Sequence, residues 1–133
     1  MPLNKFGYLM ANFSNFKKLG NLGEVASKIY NSCVNQPDYA GGKESENSKL
    51  TKLLDKKVFF KNGAEGVFVA IIPDQKISVV VKILDGNARA SSTAIAGMIS
   101  ELNIIDKTKL EIFLNKPIAN SIGETIGDIN WVG

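Results

Sequence analysis

Two runs of β-branched and aromatic residues, Gly66–Ile72 and Ile77–Leu84, constrain this chain more than any other part of it. Neither alternates polar with apolar residues as a strand with one wet face would, so both read as strands covered on both faces. Between them Pro73-Asp74-Gln75-Lys76 supplies a proline, an aspartate and a charged tip, the chemistry of a short turn, and the pair is therefore an antiparallel hairpin. Its opposite end carries two polar clusters. Lys61-Asn62-Gly63-Ala64-Glu65-Gly66 enters the hairpin and Lys82, Asp85, Gly86, Asn87 and Arg89 leave it, so antiparallel pairing sets the two side by side.

Helical periodicity flanks the hairpin. Leu3, Phe6, Leu9, Met10 and Phe13 predict a helix from Met1 to about Phe16. Leu22, Val25, Ala26, Ile29, Tyr30 and Cys33 predict a second, with Asn21 as its cap and its end before Pro37. The stretch Tyr39–Asn47 reads as a loop, Ser48–Leu54 as a short helix, and Val58-Phe59-Phe60 as a strand running into Lys61. Beyond the hairpin, Ala94, Ile95, Met98, Ile99 and Leu102 form a stripe that should cover the sheet. Asp106 caps a further helix over Leu110, Phe113 and Leu114, ended by Pro117, and Thr125–Val132 reads as a last strand with Ile129 and Trp131 inward. The fold class expected is α+β, an α/β sandwich in which helices cover an antiparallel sheet. At 133 residues the whole chain, 1–133, is one domain's worth, able to bury roughly two-thirds of its surface.

Composition then excludes several functions. The basic residues, 15 lysines and one arginine, are scattered among 13 acidic ones, a solvated surface rather than a stripe that tracks phosphates, so no nucleic-acid partner is expected. With no histidine, histidine-based catalysis and the usual zinc sites are out of reach, and the lone Cys33, read as a small apolar core residue, cannot form an intrachain disulfide. No apolar run reaches the length of a membrane span and no leader pattern opens the chain, so a cytoplasmic protein with no membrane partner is expected. Ser14-Asn15-Phe16-Lys17 matches Ser-x-x-Lys in form only, at the end of the first predicted helix. Lys82, on an otherwise apolar strand, either snorkels from the sheet end or pairs with Glu65 or Asp85, and pairing is the stronger expectation because a bare buried charge is costly. The Asp85-Gly86-Asn87 turn, or Arg89, is a candidate to hold an anion.

Lys61–Gly66 with Val67, and Val81-Lys82-Ile83-Leu84-Asp85-Gly86-Asn87-Ala88-Arg89-Ala90, resemble two signature segments in the C-terminal half of the L-asparaginase II family, the rhizobial inducible type. The resemblance extends to Met1-Pro2-Leu3, to Pro37–Gly42, and to Asn120–Gly123 with Ile126-Gly127, covering nearly the whole chain. It implies a fold like part of the serine β-lactamases, and a reaction, in the complete enzyme, that hydrolyses L-asparagine to L-aspartate and ammonia through an acyl-serine. Lys61 would be the catalytic lysine; Asn62, Gly63, Ala64, Glu65 and Arg89 would line the substrate; Lys82, Asp85 and Gly86 would support them. Glu65 would either neutralise Lys61 or meet the substrate ammonium. Asn62 stands where the family usually has threonine, and Lys43 where it usually has arginine, which loses a bidentate fork. The family's N-terminal half, with its Ser-x-x-Lys nucleophile, second serine and Asp-Gly-Cys zinc ligand, has no counterpart here. The chain itself is therefore expected to bind no cofactor, although zinc belongs to the complete enzyme. Its expected role is the C-terminal portion of a split or truncated asparaginase, inactive alone, partnered by the missing half or by a second copy. The alternatives are a non-enzymatic module that binds an amino acid or a protein, and an independent serine hydrolase.

Overall fold

In a computed structural model the chain is described over residues 1–133 and is α+β. Three strands, β1 (Phe59–Asn62), β2 (Val67–Ile72) and β3 (Ile77–Lys82), form an antiparallel sheet in that order. The expected hairpin is β2–β3, closed at Ile72↔Ile77. Central β2 is buried on both faces, as its composition requires. Edge strand β3 buries only Val79 fully, because a sheet edge has a strand neighbour on one side only.

Side chains alternate across the sheet. Phe60, Phe68, Ala70, Ile72 and Val79 point to one face, where they pack with Leu50 and Leu54, with Ile95, Ala96 and Ile99, and with Leu110, Phe113 and Leu114. The helices supplying these are α4 (Glu46–Leu53), α5 (Ser91–Glu101) and α6 (Glu111–Leu114), the last entered through a 3-10 turn that Asp106 caps by accepting from Thr108 N–H at 3.0 Å. The other face carries Phe59, Val69, Ile71 and Val80 beneath α1 (Leu3–Ser14) and α2 (Asn21–Asn35), which contribute Met10, Phe13, Tyr30, Cys33 and Val34. Helix α1 is fastened to β3 by the Ser78 hydroxyl, which donates to the Gly7 carbonyl at 2.8 Å.

Four expectations need correction. Helix α2 does not bury the Leu22–Val25–Ile29 stripe; all three are exposed, and Gly23, Ala26, Tyr30 and Val34 face inward. Small residues decide this: a Cβ on Gly23 would sit 2.1 Å from the Phe16 carbonyl oxygen, so only that side of the helix can approach the preceding 3-10 turn. Asn21 is the first helical residue, not a cap; Gly20 takes the cap position, with no side-chain bond. Pro37–Gly41, expected to lie beyond the second helix and to run into the Tyr39–Asn47 loop, forms the short helix α3 with proline in its first turn. Finally, Pro117 does not merely end a helix but lies in strand β4 (Asn115–Ala119), which pairs with β5 (Thr125–Asn130) in a separate two-stranded ribbon. A proline is tolerated there because the ribbon leaves each strand one unpaired edge. Trp131, just past β5, lies against Gly97 of α5, and its backbone N–H donates to the Leu114 carbonyl at 2.9 Å.

Candidate functional site

Strands β1 and β3 run in the same direction on either side of antiparallel β2. The register sets Lys61 opposite Val69, Val69 opposite Val80, and Lys82 opposite Val67. Lys61 and Lys82 are therefore on one face, that of α1 and α2, near the same end of the sheet, and both are exposed. Each amino group leans over the next carbonyl along its strand: Lys61 Nζ donates to Asn62 O at 3.1 Å and Lys82 Nζ to Ile83 O at 2.6 Å. Because the strands share a direction, both side chains lean toward the same sheet end.

That end is built by two tight corners. Glu65 and Gly66 both have positive φ, 59° and 65°, and Val67 N–H donates to Ala64 O at 3.3 Å, which makes Ala64–Val67 a hairpin turn of the primed type. Gly66 has no substitute: besides its backbone angle, a Cβ there would meet Ile83 Cβ at 2.8 Å and Asn87 O at 3.0 Å. At Gly63 a Cβ would find ordinary contact with Val67 at 3.7 Å, so packing does not demand glycine there. The second corner is Gly86, φ 73°, whose N–H bonds Ile83 O at 3.0 Å. The Glu65 carboxylate lies over it, with Oε2 2.9 Å from where a Cβ would stand. The two polar clusters are side by side as expected.

The detailed pairings differ. No carboxylate lies within 4.0 Å of Lys61 or Lys82, so Lys82 is not paired with Glu65 or Asp85; its charge rests on a backbone carbonyl that also holds the Gly86 turn. Asp85 instead accepts from Asn87 N–H at 2.8 Å, and Asn87 accepts from Arg89 N–H at 2.9 Å. These amides, the donors an anion at this turn would need, are bonded to side chains of their own segment. The exposed Arg89 sits in a three-residue 3-10 turn, Ala88–Ala90.

Ser14 is buried and its hydroxyl donates to Ala11 O at 2.6 Å, so it cannot serve as a nucleophile with Lys17. Sequence reasoning missed one serine–lysine contact: Lys116 Nζ reaches Ser92 Oγ at 3.1 Å and Glu46 Oε2 at 3.0 Å, pinning β4 to α4 and α5. Ser92 is 1% exposed, which keeps substrates away from it. The signal that would have found it, a lysine in a strand, was hidden because β4 itself was not recognised. Cys33, half-buried in the smaller core as expected, has its thiol pushed up by burial, while the positive charge of nearby Lys61 acts the other way. It lines a cavity of ≈ 380 Å³ with Ser32, Gln36, Tyr39 and Ala40. A concavity of ≈ 440 Å³ beside Phe16 and Gly23 and another of ≈ 470 Å³ beside Trp131 include none of the Lys61–Arg89 residues. No three His, Cys, Asp or Glu residues come together where they could hold a metal ion. No helix is long and apolar enough to cross a membrane.

The L-asparaginase II family profile matches residues 1–131, essentially from end to end. The chain belongs to the L-asparaginase II family. No curated protein matches it. In this family member the Lys-x-Gly segment falls at the end of β1, on the open end of the α1/α2 face, and the Asp-Gly corner lies beside it. The Asn120–Gly123 segment forms the tip of the β4–β5 ribbon, where the Asn120 side chain accepts from Ile122 and Glu124 N–H at 3.1 and 2.9 Å.

Proposed function

We propose that this asparaginase-family chain is the C-terminal portion of a serine amidohydrolase acting on L-asparagine, with a serine β-lactamase-like architecture that an N-terminal half completes. The observation that carries this reading is Lys61: it stands at the end of β1 within the family match, exposed, free of any carboxylate, on a sheet face that is uncovered at that end. A lysine in that state can exchange a proton with a serine brought against it, and Gly63 leaves the backbone open to a substrate. Asn62 alternates to the opposite face, with Phe60, so it touches the substrate only through its backbone or through movement of the strand end. Glu65 would meet the substrate ammonium, and Arg89 would line the substrate. Neither Ser14 nor Ser92 supplies a nucleophile at Lys61, since both are buried; the nucleophile belongs to the N-terminal half, and by itself this half-pocket binds at most. In a reducing cytoplasm Cys33 stays a thiol.

The partner is the N-terminal half or, failing that, a second copy. Exposed Tyr8 and Leu9 on α1, and Leu22, Val25 and Ile29 on α2, supply apolar surface for either. The test is complementation. Ammonia should be released from L-asparagine only when this chain is combined with an N-terminal half carrying Ser-x-x-Lys and Asp-Gly-Cys. Release by the chain alone, lost on Lys61→Ala, or no release by the combined halves, would refute the reading.

A further inference from the structure

We propose that Lys82 is the residue that holds the α-carboxylate of the amino-acid substrate, at the Gly86 corner and opposite the Glu65 carboxylate; this deepens, and rests on, the functional reading above. Three observations lead there. Lys82 is exposed and pairs with no carboxylate, although two lie in the adjoining turns. The obvious competing anion donors, the backbone N–H groups of Asn87 and Arg89, are already bonded to the Asp85 and Asn87 side chains, and that of Gly86 to Ile83 O. Side-chain cations must therefore do what the turn amides cannot. Third, Lys82 approaches this corner from the end of β3 and Glu65 from the β1–β2 turn. Lys82 Nζ bonds the carbonyl that closes the Gly86 turn, and Glu65 Oε2 lies 2.9 Å from where a Gly86 Cβ would stand.

A positive and a negative group flanking a side-chain-free position complement a zwitterion: carboxylate toward Lys82, ammonium toward Glu65. The register gives the rest of the geometry. Two strand spacings across and two residues along separate the Cα atoms of Lys61 and Lys82 by roughly 12 Å. Both side chains lean toward the same end of that gap. A small amino acid held at the Gly86 corner by its α-substituents then points its side chain along the shared face toward Lys61, over Val67. Lys82 would thus set which end of the substrate faces the chemistry, a positioning role distinct from that of Lys61.

The probes are L-aspartate, which carries both α-charges and is not hydrolysed, and β-alanine amide, which is asparagine without its α-carboxylate. Titrated into the isotope-labelled chain, L-aspartate should shift the backbone amide signals of Val67 and of residues 82–87 saturably. Lys82→Met should weaken that binding about tenfold or more, as expected for loss of one charge-assisted hydrogen bond, and Lys82→Arg should restore it. Binding of β-alanine amide should be the same in all three. An unchanged L-aspartate affinity in Lys82→Met, or no saturable shift at the corner in the unmodified chain, overturns the proposal; an unaltered denaturation midpoint confirms that the variant is folded. Complementation separates this from the functional reading. If the combined halves hydrolyse asparagine and Lys82→Met leaves KM unchanged, the carboxylate assignment falls and the asparaginase reading stands. If the Lys82-dependent shift is present but no N-terminal half yields ammonia, the site stands and the asparaginase reading falls.

Discussion

The two faces of the central sheet are made from the same three strands and are unequal. One face gathers fourteen buried apolar residues with α4, α5 and α6, while the face under α1 and α2 gathers five. Adjacent Phe60 and Phe59 show the difference at one step of the backbone: Phe60 is 0% exposed in the large cluster and Phe59 is 9% exposed in the small one. Both candidate lysines belong to the lightly packed face. Both are exposed on it, so their charge remains in water without the desolvation that the opposite face would impose. The closed face confers stability; the open one is available for chemistry.

Lys61→Met should give the largest effect and the most one-sided. In the complemented enzyme turnover should fall by roughly a hundred- to ten-thousand-fold, as for loss of a general base. The denaturation midpoint should hardly move, because Lys61 touches only a carbonyl. Steady-state kinetics with a urea melt checks both, and unchanged turnover would remove Lys61 from the mechanism. Next comes the pair of phenylalanines. Phe60→Ala should cost about 3–5 kcal/mol by urea denaturation and Phe59→Ala roughly 2–3, since a smaller, half-open cluster collapses more readily around the gap. Equal losses would mean that the two faces are equally packed, contrary to the contrast drawn above.

Tyr30 tests the open face by pH. Its hydroxyl donates to Lys57 O at 2.8 Å, and burial, aided by the Asp74 carboxylate, pushes its pKa up to about 12 from 10.0. The folded state then keeps a proton that the unfolded state gives up. Stability from this source is complete below pH 10 and is lost as pH rises toward 12, by something on the order of 2 kcal/mol. Tyr30→Phe should flatten that alkaline limb, measured as melts across the interval; a limb that persists would assign it elsewhere. The smallest expected effect is on the closed side, where Lys116→Met should cost about 1 kcal/mol by removing a partly exposed pair with Glu46 and a bond to Ser92, without altering turnover of the complemented enzyme.

The hairpin was legible because β-branched runs with a Pro-Asp turn admit few other folds, and the pairing of the Lys61 and Asp85 clusters followed from it. The inward face of α2 was not. Its large apolar residues and its small ones lie on different sides, and close approach at Gly23 outweighs the hydrophobicity of Leu22, Val25 and Ile29. Strand β4 was obscured by Pro117, a stop signal in a helix but harmless on an unpaired edge. At the site, the shared face of Lys61 and Lys82 follows from strand alternation once the register is known. The partner of Lys82 does not, because two carboxylates and a carbonyl competed within reach and only the turn geometry at Gly86 separates them.

The bond from Ser78 to Gly7 joins residues 71 apart in the chain. Closing so long a loop carries an entropic penalty that local contacts do not, so the β2–β3 hairpin and the helices next to it should assemble before α1 docks. Helix α1 is synthesised well ahead of β3 and must wait for it. During that wait Met10 and Phe13 have no sheet to lie on, which makes the interval between synthesis of α1 and completion of β3 the period in which this chain is most exposed to aggregation and most in need of a chaperone.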